Sequence, residues 1–374
     1  MRRGVVLGAP NIETHATMMR VSLVSPGFPP QLGGVEAVAG RLADELCERG
    51  HRVTVYAQRP RGRSFVEDHC YPVRRFADWT GTRQFPVAPG LIAALWRDRA
   101  TFDVIHAHSF HAAPSMMAAT VPNVPLVFTP HFHAVGHTRI ASALHIAYDP
   151  LATHLFRRAD RVTCVSAAES DLLLARYSFV EPRLSVVPLG VDTRALLMAE
   201  PFERDRPVVL IAGRLEPYKR VDMTIRAFAR LRNDAEMVVC GAGPHLSELQ
   251  RLARELGVAA RISFRGMVDG AELRRWQRTA VCTVSLSSRE AFGLVLLEGA
   301  VAGSRVLATD IPAHVELAQR LGSARMTVIS PEVALVAAAL DHQLESGRLS
   351  PLEDDSFDWS LMARSYEAIY RSLG

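Results

Sequence analysis

Of the 43 basic residues in this chain, Lys219 alone is a lysine and every other one is an arginine. It follows Arg214 by five residues, just beyond the apolar run 208–212. An ammonium group is a compact point charge with three donors, which suits a phosphate at a strand-to-helix turn where a planar guanidinium does not. Lys219 therefore indicates an anion site. The alternative is a solvated surface lysine.

Two glutamates, Glu290 and Glu298, stand eight residues apart around the start of a predicted helix over 291–302. The first turn of a helix offers free N–H groups and a positive dipole end, which bind phosphates or sugar hydroxyls. On one helix face the two carboxylates would lie about 12 Å apart, too far for an acid–base pair. We predict one ligand spanning both, a sugar at one end and a ribose diol at the other. A surface helix with two solvated glutamates is the alternative, although such an apolar helix should not carry Glu298 without a partner.

Six histidines form two short clusters near the ends of predicted strands: His106, His108 and His111, then His131, His133 and His137. Each H-x-H pair puts two imidazoles on one face of a strand, an arrangement that a metal hydrolase would use together with a carboxylate. The same side chains could line an acceptor site or satisfy a buried hydrogen bond. The acidic pair Asp354-Asp355 lies in a predicted linker, so we expect metal-independent chemistry and no metal ligands.

The elements that must position these residues alternate regularly between apolar strands and helices, which predicts parallel sheets covered on both faces. The first half contains strand-like runs at 21–25, 53–57, 104–107, 126–129, 162–165 and 184–187, with a helix near 35–49. The second half contains strand-like runs at 208–212, 236–240, 262–264, 281–286 and 306–308, with helices near 221–233, 245–256, 270–279, 291–302 and 331–346.

We predict an α/β fold of two doubly wound, Rossmann-like domains that face each other across a cleft. Ligands of such sheets bind at the carboxyl ends of the strands, so the cleft is the expected site. The predicted boundaries are 18–192 for the first domain and 193–356 for the second. Residues 357–374 form a helix that returns to the first domain, and residues 1–17 form a disordered extension.

Several short motifs, in order over about residues 20 to 310, resemble those of retaining glycosyltransferases of family 4, which have the GT-B fold. The strongest is the E-x7-E stretch from Glu290 to Glu298, with Phe-Gly-Leu inside it. The others are Leu32-Gly33-Gly34-Val35-Glu36, Pro188-Leu189-Gly190-Val191-Asp192 with leucine in place of the usual asparagine, Gly213-Arg214-Leu215 with Lys219, Cys240-Gly241-Ala242-Gly243-Pro244 and Phe264-Arg265-Gly266-Met267-Val268.

The resemblance implies a role for each matching residue. Arg214 and Lys219 would neutralise the departing diphosphate, and Glu298 would hold the ribose hydroxyls. The remaining donor contacts would come from Gly33 and Gly34 at the phosphates, from Gly241, Gly243 and Met267 beside the base, and from Glu290 with the amides of Phe292, Gly293 and Leu294 at the sugar. His131, rather than His133, would position and polarise the donor sugar.

The implied activity is retaining transfer of a hexosyl group from a nucleotide-diphosphate sugar (UDP, GDP or ADP type) to an acceptor hydroxyl, with no further cofactor. The second domain would bind the donor and the first the acceptor, a lipid, a glycan or a natural product, selected by the loops 59–69 and 135–151. A nucleotide-sugar epimerase, a phosphorylase or a non-catalytic nucleotide-sugar binding protein would share these features. A dehydrogenase is disfavoured because the G-x-G of Gly241 and Gly243 lacks its third glycine.

Composition narrows the partners and the compartment. Residues 1–195 carry a net charge of +5, whereas the whole chain carries +4. A basic first half would suit an anionic acceptor or a peripheral contact with the inner face of the membrane. The sequence contains no basic stripe with interleaved aromatic residues, so we do not expect nucleic-acid binding. The five cysteines lack metal or disulfide spacing, and Cys164, Cys240 and Cys282 lie in apolar runs. We therefore expect reduced thiols and a cytoplasmic protein.

Overall fold

The computed structural model describes residues 17–31, 33–59, 67–79, 87–110, 112–132 and 139–374, and the side chains of these ranges except 139–148. The predicted extension up to residue 16, His111, His133 and His137 lie outside these ranges. So does the middle of the predicted acceptor loop 59–69, and the second loop, 135–151, is described mainly as backbone. No helix within the described ranges combines the length and the apolar character needed to cross a bilayer.

The chain divides into two compact units, one formed by residues 1–190 with 359–374 and the other by residues 191–358. The strands of the first unit are β1 (Arg20–Ser25), β2 (Arg52–Arg59), β3 (Val73–Ala77), β4 (Val104–His108), β5 (Leu126–Thr129), β6 (Arg161–Cys164) and β7 (Leu184–Val186). Over the described residues they form one parallel sheet in the order β3-β2-β1-β4-β5-β6-β7. The carboxyl ends of the inner strands β4 and β5 therefore lie next to each other.

Helices cover both faces of the first sheet, because its central strands bury their side chains on both faces. They are α1 (Gly34–Glu48), α2 (Pro89–Asp98), α3 (Ala113–Ala119), α4 (Arg139–Arg158) and α5 (Ala167–Leu174). A continuous apolar core runs between strands and helices, with Ile105, Phe128 and Phe156 fully buried in it. Helix α1 ends where Gly50 takes the left-handed conformation, with φ of 85°, and donates its N–H to the carbonyl of Cys47.

The second unit repeats this architecture with strands β8 (Val208–Ala212), β9 (Glu236–Cys240), β10 (Ile262–Gly266), β11 (Cys282–Ser285), β12 (Arg305–Thr309) and β13 (Met326–Ile329). These six strands form a parallel sheet in the order β10-β9-β8-β11-β12-β13 across the described residues. Its helices are α6 (Thr193–Met198), α7 (Val221–Phe228), α8 (Leu246–Glu255), α9 (Gly270–Thr279), α10 (Leu294–Val301), α11 (Pro312–Leu321) and α12 (Val333–Ser346). Two parallel Rossmann-like sheets confirm the predicted fold class.

The last helix, α13 (Trp359–Arg371), belongs to the first unit although it follows the whole of the second in sequence. Its Glu367 carboxylate accepts bonds from Arg49 Nε at 2.8 Å and His51 Nε2 at 2.7 Å. The hydroxyl of Tyr370 lies 2.7 Å from Nδ1 of His106, and that of Tyr366 lies 3.1 Å from Oγ1 of Thr129. Buried polar contacts therefore fasten α13 beneath the first sheet.

The cysteine prediction is wrong for two of the five residues. The structure joins Cys47, near the end of α1, to Cys70, in the segment before β3, as a disulfide. Their sequence separation of 23 residues follows no familiar motif, so only the fold brings the two together. Cys164, Cys240 and Cys282 are free and buried, as expected, and burial raises the pKa of each thiol.

Candidate active site

Three glycines shape the carboxyl end of the second sheet by letting two loops touch. Gly213 follows β8 and Gly241 follows β9, with φ of 135° and 149°. The N–H of Gly213 donates to the carbonyl of Cys240 at 2.9 Å. A Cβ on Gly241 would collide with the carbonyl of Gly213, and one on Gly243 would collide with the carbonyl of Leu215. The sequence analysis assigned Gly241 and Gly243 to the nucleotide base. In the structure, both positions must lack a side chain so that the two loops can pack against each other.

Lys219 and Glu290 form an ion pair at this end of the sheet. Lys219 ends the short 3-10 turn Pro217–Lys219, and its Nζ donates to Oε1 of Glu290. Each side chain is 21% exposed. The carbonyl of Tyr218 accepts the N–H of Ser288 at 2.9 Å, which ties together the two segments that carry the pair. Two residues that the sequence assigned to separate parts of a ligand are therefore in direct contact.

Tyr218 collects three positive charges around its ring. Its hydroxyl accepts a bond of 3.3 Å from Arg214, and the Lys219 ammonium lies 5.4 Å from the ring centroid. The guanidinium carbon of Arg289 lies 4.4 Å from the same centroid, within cation–π range. Burial lowers the pKa of Arg289, while Tyr218, Glu216 and Glu290 act in the opposite direction. Sequence reasoning missed Arg289, although its position immediately before Glu290 was an available signal.

A small cavity lies beside this cluster, at the carboxyl ends of β8 and β11. Its polar lining residues are Arg214, Lys219, Thr224 and Ser285, and the remaining lining consists of Gly213 and the aliphatic residues Ile211, Ala212, Leu215, Val221, Val284 and Leu286. Its polar rim, with Arg214 and Lys219, suits an anionic oxygen atom, whereas the rest of the lining is mainly aliphatic.

The helix predicted over 291–302 starts later than expected, at Leu294. Gly293 precedes it in the left-handed conformation, with φ of 100°, which ends the loop and starts the helix. Glu290 therefore lies in the loop and Glu298 in α10, so the prediction that both glutamates share one helix face is wrong. Oε2 of Glu298 accepts a 2.7 Å bond from Nε2 of Gln277. Gln277 is therefore a hydrogen-bond partner of the kind that we expected for a carboxylate on an apolar helix.

His314 lies behind the same loop and was also missed by sequence reasoning. It is fully buried on α11, and its Nδ1 donates to the carbonyl of Thr309 at 3.0 Å. Its Cδ2 lies 3.4 Å from the position that a Cβ on Gly293 would take. Burial lowers the pKa of His314, with the nearby charge of Glu290 acting in the opposite direction. The ring therefore supports the loop as a neutral group.

The remaining predicted contacts of the second unit differ in exposure. Met267 follows β10 with 54% of its surface exposed, whereas Phe292 is only 6% exposed. An exposed methionine can cover the face of a base, and the buried Phe292 anchors the loop that carries Glu290.

The predicted residues of the first unit lie at two strand ends and one helix start. Gly33 precedes α1, and a Cβ on it would collide with the carboxylate of Glu36, whereas Gly34 has open space around the Cβ position. His131 follows β5 with φ of 49°, which is unusual for a histidine. Its Nε2 lies 3.4 Å from Nδ1 of His108, the last residue of β4. The first unit thus brings together three of the six clustered histidines, because the ring centroid of His106 lies 4.2 Å from that of His108.

A buried carboxylate holds the backbone beside His131. Glu169 accepts the N–H of Phe132 and, at 2.6 Å, the N–H of Val165. Burial raises the pKa of Glu169 to about 8, although these two N–H bonds oppose the rise. The N–H of Glu169 in turn donates to Oγ of Ser166 at 3.0 Å. The Ser-x-x-Glu pattern of a capping box at the start of α5 was the sequence signal for this clamp.

His106, by contrast, belongs to the core. Its ring bonds Tyr370 on one side and Oγ1 of Thr129, at 2.7 Å, on the other. Among the described residues, no group of three or more histidine, cysteine, aspartate or glutamate side chains is arranged to hold a metal ion. His111, His133 and His137, which the metal-hydrolase alternative also used, lie outside the described residues.

Two family models match consecutive parts of the chain. The model described as Glycosyltransferase Family 4 matches residues 32–195, and the model described as Glycosyl transferases group 1 matches residues 194–351. Together they cover both units that the fold shows.

Several relatives match this chain over most of both sequences. The phosphatidylinositol N-acetylglucosaminyltransferase GPI3 subunit of Saccharomyces cerevisiae is 24% identical, over 94% of this chain and 83% of the yeast protein. A GDP-mannose-dependent alpha-(1-6)-phosphatidylinositol monomannoside mannosyltransferase of Mycobacterium tuberculosis is 29% identical, over 78% and 80%. The D-inositol 3-phosphate glycosyltransferase of Nocardia farcinica is 29% identical, over 85% and 78%.

Solved structures share the fold. The sucrose-phosphate synthase of Thermosynechococcus elongatus superposes with a TM-score of 0.73 at 18% identity, over 95% of this chain and 99% of that one. Anabaena Alr3699/HepE, solved in complex with UDP, superposes with a TM-score of 0.69 at 19% identity, over 95% of each chain. From the paired family models, the relatives and the two parallel sheets, we conclude that the chain belongs to glycosyltransferase family 4 and is a glycosyltransferase of the GT-B fold.

Proposed function

We propose that this enzyme transfers a hexosyl group from a nucleoside-diphosphate sugar to an acceptor hydroxyl, with retention of anomeric configuration and without a metal ion. The observation that carries the proposal is the cluster of Arg214, Lys219 and Arg289 around Tyr218, joined to Glu290 at the carboxyl end of the second sheet. Bond cleavage leaves negative charge on the diphosphate, and fixed cations stabilise such charge most effectively where they are already in place.

Each cation has a separable role in this proposal. Lys219 and Arg214 neutralise the leaving diphosphate, and truncation of either costs on the order of 2–5 kcal/mol because the remaining charges lose a partner. Arg289 adds a third charge from the segment that also carries Glu290. Glu290 anchors the Lys219 ammonium and, with the amides of the 292–294 loop, contacts the donor sugar. Glu298 contacts the ribose from α10.

The three positive charges neutralise the diphosphate, as a divalent cation does in metal-dependent transferases. Retention then follows from attack on the same face that the diphosphate leaves, with a phosphate oxygen taking the proton of the acceptor hydroxyl. His131, from the first unit, orients and polarises the donor sugar. We assign the donor to the second unit and the acceptor to the first, and an interdomain position of the donor stays a prediction.

For the acceptor, we propose a hydroxyl of a molecule that contains an inositol phosphate. The three relatives act, by name, on phosphatidylinositol, on a phosphatidylinositol mannoside and on D-inositol 3-phosphate. The arginine-rich first half, with its net charge of +5, suits a phosphorylated acceptor and a peripheral contact with an anionic membrane surface on the cytoplasmic side.

A ligand-induced shift in melting temperature identifies the donor. The full chain is screened with UDP-, GDP- and ADP-sugars, and the true donor at about 100 times its Kd adds about 2.7 kcal/mol of stability. That donor is then incubated with phosphatidylinositol vesicles, with soluble inositol phosphate or with phosphatidylglycerol vesicles as control. We expect an α-linked product, unchanged by EDTA, with one of the two inositol acceptors only.

Each alternative gives a distinct result in the same assay. An epimerised nucleotide sugar formed without acceptor would identify an epimerase, and a sugar 1-phosphate formed when inorganic phosphate and a glycan are supplied would identify a phosphorylase. Activity that disappears with EDTA and returns with Mn²⁺ would contradict metal independence. Equal transfer to phosphatidylglycerol would contradict the inositol assignment while leaving the transferase assignment intact.

A further inference from the structure

The ring of His131 has a buried histidine as its neighbour. β4 and β5 are adjacent parallel strands, and His108 on β4 pairs in register with Thr129 on β5, two residues before His131. The two imidazoles lie nearly parallel, with planes 22° apart and centroids separated by 5.7 Å. Nδ1 of His108 and Nε2 of His131 are 3.4 Å apart, within the limit for a weak hydrogen bond.

His108 is neutral and has little freedom in how it shares its proton. Its side chain is completely buried, and burial, followed by the proximity of His106 and His131, lowers its pKa well below the usual value. Among the described residues, its Nε2 has no hydrogen-bond partner. A neutral imidazole carries one proton, on Nδ1 or on Nε2, so one of its nitrogens donates and the other accepts.

The two tautomers differ in the group that they leave buried without a partner. If the proton were on Nε2, His108 would bury an unsatisfied N–H donor, which native proteins avoid more strictly than an unsatisfied acceptor. With the proton on Nδ1, His108 donates to Nε2 of His131 and leaves only a lone pair unpaired. His131, accepting at Nε2, must then carry its own proton on Nδ1.

The backbone around His131 is fixed from three sides, so the ring cannot escape this arrangement easily. The N–H of Phe132 donates to the buried Glu169. The N–H of Ser109 donates to the carbonyl of Thr129 at 2.9 Å, and that of Phe110 donates to the carbonyl of Pro130 at 2.7 Å. Such rigid support is what a preorganised site requires of the residues behind the one that meets the ligand.

We propose that His108 is a positioning residue for His131, which it holds in the Nδ1–H tautomer so that His131 presents a donor, at Nδ1, to an oxygen of the donor sugar. The inference rests on the proposed function, in which His131 contacts that sugar. It assigns a purpose to a buried histidine whose ring, among the described residues, has a hydrogen bond to His131 alone.

The test is ring-nitrogen NMR of the full chain labelled with ¹⁵N-histidine, with the His131 signals assigned by loss in His131→Asn. We expect Nδ1 to be protonated and Nε2 unprotonated in the wild type. In His108→Leu, which removes the donor, the His131 signals shift to the Nε2–H tautomer or to a mixture. The kcat of sugar transfer falls by about 10- to 100-fold, the usual range for loss of an orienting partner, with KM for the donor nearly unchanged.

Two further variants separate positioning from a general packing defect. The amide of His108→Asn lies near the position of Nδ1 and restores the tautomer and most of kcat, whereas that of His108→Gln lies near the position of Nε2 and restores neither. An Nε2–H tautomer in the wild type, or equal effects of the Asn and Gln variants, would overturn the inference. If His131→Ala transfers sugar at the wild-type rate, the proposed role of His131 fails, while the NMR signals still decide whether His108 sets its proton.

Discussion

The ammonium of Lys219 is held between the carboxylate of Glu290 and the ring of Tyr218, in a space where each partner of the ion pair is 21% exposed. A guanidinium is wider and planar, so it cannot keep both contacts in that space. We predict that Lys219→Arg lowers kcat/KM by about tenfold or more, which is about 1.4 kcal/mol of transition-state stabilisation. Steady-state kinetics with the identified donor measure the change.

The matched control is the neighbouring residue. Arg220→Lys makes the reverse exchange one position away, outside the ion pair, and should leave kcat/KM within about twofold. Wild-type turnover and donor affinity in Lys219→Arg would show that the single lysine of this chain has no chemical purpose.

Glu169 offers a prediction about pH. Its pKa is raised in the folded state to about 8, so between the unfolded value near 4.5 and about 8 the folded protein binds more protons than the unfolded one. The contribution of Glu169 to the free energy of unfolding is therefore fully present at low pH, and it decreases as the pH rises from about 4.5 to about 8. In Glu169→Gln this component disappears, and the free energy of unfolding should decline less steeply between pH 5 and pH 8.

The same variant puts an amide donor where two backbone N–H groups need an acceptor. We expect a loss of about 1–3 kcal/mol near pH 5, measured by urea unfolding. Identical pH slopes for wild type and variant would contradict the assignment of a raised pKa to this carboxylate.

The loops after β8 and β9 depend on Gly241, where a side chain would collide with the carbonyl of Gly213. We predict that Gly241→Ala lowers the free energy of unfolding by several kcal/mol, because the left-handed conformation and the collision add. Gly257→Ala isolates the first effect, since Gly257 has φ of 71° and open space around the Cβ position. Urea midpoints of the two variants measure the difference, and equal losses would show that the collision relaxes freely.

How well each element could be predicted depends on its place in the sheet. All eleven predicted strands exist. Nine of them are inner strands, which are buried on both faces and read as continuous apolar runs, whereas β7 and β10 are edge strands. The two that were missed, β3 and β13, are edge strands of the two sheets. Their residues are largely half-exposed, so they carry no such run. A local apolar run, rather than strand formation itself, is what the sequence pattern reports.

The site could be predicted only in part, because contacts between residues far apart in the sequence determine its arrangement. The motifs located Lys219 and Glu290, but only the fold shows that the two are paired over 71 positions. The helix start at Leu294 was missed because Gly293 was interpreted as part of the helix, while its left-handed φ places it before the first turn. Arg289, His314 and Glu169 act through neighbours from other strands or helices, and local spacing cannot reveal such neighbours.

For the molecule as a whole, Glu367 links the last helix to the start of the chain. Burial alone would raise its pKa, but the bonds from His51 and Arg49 overcome burial and lower it to about 2. The contribution to stability is thus present above the unfolded value near 4.5 and is lost as the pH falls through about 2. We predict that Glu367→Gln lowers the free energy of unfolding by about 1.5–3 kcal/mol at pH 7.

The difference between Glu367→Gln and wild type should shrink steadily below pH 4.5, as measured by urea unfolding over a pH series. Glu181→Gln, which alters an exposed carboxylate of the same unit, is the control and should match wild type throughout. A difference that stays constant down to pH 2 would show that packing, rather than charge, is what the substitution removes.

The position of α13 also sets the order in which the protein is completed during synthesis. The second unit is a continuous stretch, 191–358, whereas the first needs residues 359–374 to finish its core. Until the ribosome releases those last residues, His106 and Thr129 lack the hydroxyls of Tyr370 and Tyr366. The half of the enzyme that is translated first is therefore the last to mature.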